Sequence, residues 1–262
     1  MTYTLYQVDA FAEKLFTGNP AAVVPLKKWL PDELLQKIAA ENNLAETVYY
    51  IINEETIDIR WFTPNTEVDL CGHATLAAAF VLHTQENFQG SIIPFYSSRS
   101  GRLPVSVKDD FYTMDFPSDD FKEVPLTHEL ISTTSARPVK AFKGKTDYML
   151  VFDDDEIIEQ IHPNFSVIQT LEARGLIVTA KGKDADFVSR FFAPQCGINE
   201  DPVTGSAHTT LTPYWAEVLN KKSLTAVQLS SRRGKLNCVL NNDRIEITGT
   251  AVLYMKGEIE IQ

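Results

Sequence analysis

The chain is short of cysteine, of long apolar runs and of basic charge, and each shortage removes a class of protein. Its three cysteines, Cys71, Cys196 and Cys238, are an odd number at spacings that fit neither a disulfide framework nor a zinc site. Cys196 and Cys238 are expected to be buried apolar filler. No run of 18 apolar residues occurs, so no membrane-spanning helix is expected. Met1-Thr2-Tyr3-Thr4-Leu5-Tyr6 has neither the basic nor the apolar stretch of a secretory signal, and the expected location is the cytoplasm. With 24 basic against 35 acidic residues the net charge is −11. Such a field repels phosphate backbones, and Arg232-Arg233 is too small a patch to reverse it, so nucleic acid is not an expected partner.

What the sequence does contain is one phrase written twice. Arg60-Trp61-Phe62-Thr63-Pro64 returns as Arg190-Phe191-Phe192-Ala193-Pro194, an offset of 130 residues. Gly72-His73-Ala74 returns as Gly205-Ser206-Ala207, and Ser97-Ser98-Arg99-Ser100-Gly101 as Ser230-Ser231-Arg232-Arg233-Gly234, both at an offset of 133. One period with a three-residue insertion is too long for a solenoid and implies two homologous domains. We expect an N-terminal domain over residues 1–117 plus 250–262 and a C-terminal domain over 118–249.

Short alternating runs rich in β-branched and aromatic residues mark strands at 3–9, 21–25, 47–52, 56–62, 91–96 and 103–107. The second half repeats them at 137–142, 148–152, 176–180, 185–192, 227–230, 236–240 and 244–248, with a last strand over 251–261 beyond the repeat. Pro31-Asp32-Glu33 opens a short amphipathic helix, with acids in its first turn. The segment from Gly72 to about Gln85 is apolar nearly all round and must be wrapped by protein. A matching helix is expected from about Gly205 to Leu219. The fold class is α+β: two pseudo-symmetric domains, each a curved, mostly antiparallel sheet around a central helix.

Each central helix begins at a glycine beside small polar residues, Cys71-Gly72-His73 and Thr204-Gly205-Ser206. A helix start offers unpaired N–H groups and partial positive charge, and so suits an anion. The copies differ where chemistry would need them to. Glu46 falls opposite Leu176, Asp201 opposite Val68, His73 opposite Ser206 and Cys71 opposite Thr204. A carboxylate in the apolar setting Leu44-Ala45-Glu46-Thr47-Val48 is a candidate proton carrier. We take Glu46, His73 and Asp201 as candidate catalytic residues and Gly72, Thr204, Gly205 and Ser206 as candidate substrate-binding residues, in a cleft between the domains. His208 is as readily structural as functional, and His83, His128 and His162 show no ligand spacing.

Five ordered motifs, Gly18-Asn19-Pro20-Ala21-Ala22, Asn43-Leu44-Ala45-Glu46-Thr47, Arg60-Trp61-Phe62-Thr63-Pro64, Cys71-Gly72-His73-Ala74 and Glu200-Asp201-Pro202-Val203-Thr204-Gly205-Ser206, resemble the PhzF-like (phenazine-biosynthesis-like) proteins. The resemblance implies a diaminopimelate-epimerase-like fold, a homodimer, and neither a metal nor an organic cofactor. It also implies an isomerase in which Glu46 moves a proton between carbons of a small cyclic carboxylated metabolite. His73 and Asp201 would assist, and Ser206 with the Gly72 and Gly205 backbones would hold polar or anionic groups. A two-thiol racemase of the same superfold is a rival, disfavoured because the counterpart of Cys71 is Thr204, whose hydroxyl is too weak an acid. A non-catalytic protein that binds a small acid is the second alternative.

Overall fold

The same series of strand pairings is laid down twice in a computed structural model that describes residues 1–261. One compact unit comprises Met1–Asp115 together with the chain from Thr248 onward, and the other Phe116–Ile247. In the first unit the strand Asn19–Leu26 runs parallel to Glu46–Ile52, which is antiparallel to Ile57–Phe62. Ile57–Phe62 pairs in parallel with Ile92–Ser97, which turns back into Gly101–Lys108. In the second unit Asp147–Val151 is parallel to Gly175–Lys181, which is antiparallel to Phe187–Ala193. Phe187–Ala193 is in turn parallel to Ser223–Gln228, and that strand is antiparallel to Gly234–Asn241.

A parallel pair requires a crossover, and helices fill each one. Asp32–Asn42 and Gly72–Thr84 serve the first unit. Asp155–Gln160 with Phe165–Ile168, and then His208–Leu219, serve the second. The final strand Ala251–Glu260 lies outside the repeat and pairs along the first strand, Thr2–Ala10. Among the described residues, no helix is long and apolar enough to cross a membrane.

Burial follows from these layers. In Gly72–Thr84 the residues His73 to Ala79, Val81 and Leu82 are all buried, as an all-round apolar helix requires. On the other side of the first unit's sheet, Val24, Leu26, Tyr49 and Ile51 pack with Leu35 and Ile38 of Asp32–Asn42. Strand Glu46–Ile52 is therefore covered on both faces, which explains its nearly continuous apolar run.

The repeat extends to individual side chains. Arg60 clamps Glu67 through Nε at 2.7 Å and Nη2 at 2.9 Å, and lies 5.1 Å from the Phe62 ring. Arg190 clamps Glu200 at 2.7 and 3.0 Å, and lies 5.0 Å from Phe192.

Three expectations need correction. The second central helix starts at His208 and not at Gly205, because residues 205–207 form a tighter turn with bonds from His208 N to Gly205 O and from Thr209 N to Ser206 O. The strand expected at 227–230 is Ser223–Gln228; its inward series ends in a fully buried glutamine, Gln228, which disguises the alternation. Cys196 is exposed, in the short 3₁₀ turn Pro194–Cys196, whereas Cys238 is buried as expected. Pro213 inside the second helix leaves the Thr209 carbonyl without its usual helical donor, and the Asp119 N–H takes that place at 3.1 Å.

Candidate active site

The first unit gathers four polar side chains at the starts of two strands and a helix. Glu46 opens its strand beside Ala21, two residues after Asn19 on the neighbouring strand. Asn19 is placed there by Gly18, whose backbone is left-handed (φ +69°) and where a Cβ would come within 2.2 Å of the Ala10 carbonyl oxygen. Only glycine fits that turn. Cys71 caps the helix Gly72–Thr84 and His73 stands in its first turn. The Cys71 carbonyl is taken by both the N–H and the hydroxyl of Thr75, at 3.0 and 2.6 Å.

His73 is the hub of this group. Its Nδ1 lies 3.1 Å from Asn19 Nδ2 and 3.5 Å from Cys71 Sγ, and its Nε2 lies 3.1 Å from Glu46 Oε2. In the neutral ring, the Asn19 amide donates to Nδ1 and leaves the ring proton on Nε2, toward the carboxylate. The Nε2 to Oε2 approach is close but off the line of a hydrogen bond, and neither atom has another such partner among the described residues. Burial works against an imidazolium here, yet the Cys71 sulfur and the Glu46 carboxylate beside it hold His73 well above its usual value. Burial, reinforced by Glu46, pushes the Cys71 thiol up. The carboxylate therefore favours a proton on the imidazole, and burial favours one on the thiol.

Glu46, Cys71 and His73 also offer three donor atoms within 4.8 Å of one another. Cys71 stands at the Nδ1 side of the ring and Glu46 at the Nε2 side.

In the second unit Asp201, Thr204 and Ser206 occupy one turn. Thr204 donates its hydroxyl to Asp201 Oδ2 at 2.6 Å, and its N–H to Gln228 Oε1 at 2.8 Å. Gln228 Nε2 reaches back to the Asp201 carbonyl at 2.7 Å. His208 Nδ1 donates to the Thr204 carbonyl at 2.8 Å, and burial lowers this histidine to about 4, so it is a neutral structural cap. Gly205 is buried, while Ser206 is exposed with its hydroxyl oxygen accepting from Arg174 Nη1 at 2.9 Å.

The first unit thus brings Glu46, Gly72 and His73 together, and the second does the same for Asp201, Thr204, Gly205 and Ser206. Asn19, Gln228 and Arg174 were not singled out from the sequence. Asn19 lies inside a family-like motif, Gln228 has the pattern of an ordinary strand residue, and Arg174 sits two positions before the counterpart of Glu46.

The chain matches the family model for phenazine biosynthesis-like proteins (PhzC-PhzF) over residues 8–257. It is 49% identical to an uncharacterized isomerase of Pseudomonas aeruginosa, over 100% of both chains. The crystal structure of a PhzF-family phenazine biosynthesis protein from Enterococcus faecalis superposes with a TM-score of 0.97 at 45% identity, covering 100% of both chains. A hydroxyproline epimerase from Agrobacterium vitis shares the fold alone, with a TM-score of 0.64 at 8% identity over 98% of this chain and 92% of that one. The chain belongs to the phenazine biosynthesis-like family and is an isomerase.

Proposed function

We propose that this isomerase moves a proton between carbons of a small cyclic carboxylated metabolite by acid/base catalysis, without a metal or organic cofactor. Glu46 is the base that takes the proton from one carbon and, as the acid, returns it to another. The observation that carries the reading is the Glu46–His73 contact of 3.1 Å in a buried setting. Glu46 Oε2 is fully buried against the imidazole, and the residual 12% exposure of the side chain belongs to its other atoms. The imidazole supports the carboxylate while it is charged, and Asn19 holds the ring in place. Poor alignment without ligand is common in catalytic pairs, which tighten in the substrate complex.

In this reading Asp201 acts through Thr204, fixing the turn that presents Gly205 and Ser206 to an anionic group. Both half-sites serve one substrate, an inference drawn from the duplicated yet mismatched motifs. Anchoring the carboxylate supplies the positioning that proton transfer alone does not.

The test is incubation of the protein with a small-molecule cell extract in D2O, followed by mass spectrometry. A metabolite that gains one mass unit with the unmodified protein, and none with Glu46→Gln, is the expected result. Equal gain with Glu46→Gln would overturn the assignment. The thiol 3.5 Å from His73 Nδ1 keeps a racemase or epimerase as the second reading; it requires Cys71→Ala to abolish turnover while Glu46→Ala is tolerated.

A further inference from the structure

Arg174 is a charged group at the second unit's turn for which the proposed proton transfer has no use. It directly precedes strand Gly175–Lys181, beside Asp147, which opens the parallel strand Asp147–Val151. Its Nε donates to Asp147 Oδ1 at 3.0 Å and its Nη2 to Oδ2, and Asp147 is only 2% exposed. The guanidinium also lies 5.1 Å from the centre of the Phe191 ring. With the fork fixed in this way, Nη1 is aimed at Ser206 Oγ, 2.9 Å away. A guanidinium only donates, so the serine oxygen accepts, and the hydroxyl hydrogen must point elsewhere. Ser206 is exposed, so that hydrogen is available to a ligand.

The repeat supplies a second, independent observation. Ser206 is the counterpart of His73, and Arg174 stands two residues before Leu176, the counterpart of Glu46. In the first unit the head of the strand meets the head of the helix as a carboxylate against an imidazole. In the second unit the helix-head position meets a residue two places earlier on the strand side, and the pair is a guanidinium against a hydroxyl. The first pairing suits a proton and the second suits a negative charge.

We infer that Arg174 is a positioning residue for an anion: held by Asp147, it turns the Ser206 hydroxyl outward as a donor and makes this turn select a carboxylate over a neutral polar group. The inference rests on the proposed role of Ser206. Lysine in place of Arg174 keeps a positive charge against the buried Asp147, but one ammonium cannot reproduce the fork that serves both Asp147 and Ser206.

The experiment titrates the full chain with benzoate and with benzamide, its neutral isostere, and follows the Gly205 and Ser206 amides by NMR. For the unmodified protein we expect benzoate, and not benzamide, to shift these amides. Arg174→Lys should melt close to the unmodified protein, bind benzoate roughly tenfold more weakly and lose the preference over benzamide. If Arg174→Lys does not fold, the double variant Arg174→Gln/Asp147→Asn, which removes both charges, carries the same expectation. Benzoate affinity within about twofold of the unmodified protein in the Arg174 variant, together with its loss in Ser206→Ala, would overturn the inference and leave the role of Ser206 standing. No response of either amide to benzoate in the unmodified protein would overturn both.

Discussion

The two halves of the molecule agree almost to the tenth of an ångström where they hold the chain together and disagree at the strand and helix ends proposed to face a ligand. The Arg60–Glu67 and Arg190–Glu200 clamps have the same bidentate form, with Nε–O distances of 2.7 Å in both. At the head of each central helix a carbonyl accepts from the side chain four residues on: Cys71 from Thr75 and Thr204 from His208. These contacts satisfy groups that burial would otherwise leave unpaired, so both copies need them. The strand-head and helix-head side chains face no such demand. There one copy carries an acid with an imidazole, and the other a cation with a hydroxyl. Duplication supplied the frame, and divergence at a few positions gave each half its own chemistry.

Giving the first unit the residues of the second is the sharpest way to test that contrast. Glu46→Leu installs the counterpart residue, and isotope exchange into substrate should fall by about a hundred- to ten-thousand-fold, with the melting temperature maintained. His73→Ser should lower exchange by on the order of ten- to a hundredfold, because it removes the partner that holds the carboxylate. Its stability cost has a defined sign. A raised pKa in the folded state stabilises fully below the unfolded value of about 6.5 and ceases to do so as pH rises through the folded value. Urea unfolding should therefore show a larger difference between His73→Ser and the unmodified protein at about pH 6 than at high pH.

His208 works in the opposite direction. Its folded value of about 4 lies below the unfolded one, so its contribution is intact above about pH 6.5 and is lost as pH falls toward 4. That loss is on the order of 3 kcal/mol, and His208→Asn should remove it from the acid limb of urea unfolding curves. The twin clamps should answer unequally: Arg190→Ala should cost about 1–3 kcal/mol by removing the arginine that holds the partly buried Glu200, whereas Glu67 keeps Arg99 at 2.6 Å, so Arg60→Ala should cost less in chemical denaturation. Equal losses would mean that Arg99 gives Glu67 no support. Cys71→Thr, the counterpart swap at the helix cap, should change turnover by less than about threefold, since the thiol stays protonated and no step is assigned to it. Complete loss would favour the thiol-based reading.

Much of this contrast was legible in the sequence because an internal repeat acts as its own alignment. The offsets of 130 and 133 place Glu46 against Leu176 and His73 against Ser206 within the sequence itself, and the apolar run after Gly72 announces a wrapped helix. Other features were hidden for definable reasons. Gln228 is polar yet wholly buried, so the pattern of alternation placed its strand too late. The turn at 205–207 looks like a helix start until the His208 ring takes the Thr204 carbonyl. Asn19 and Arg174 act through contacts with residues 54 and 32 positions away, which local pattern does not reveal. Cys196, read as buried, is exposed in a short turn, because residue type alone sets only an average.

The most direct measurement follows deuterium incorporation by the unmodified protein, Glu46→Gln and Ser206→Ala side by side, over a range of concentrations of a metabolite found to exchange. The two half-sites should fail differently: Glu46→Gln should lose kcat, and Ser206→Ala should raise KM while keeping most of kcat. Matching losses of kcat in both variants, or full exchange by Glu46→Gln, would contradict the division of proton transfer and anion binding between the two halves.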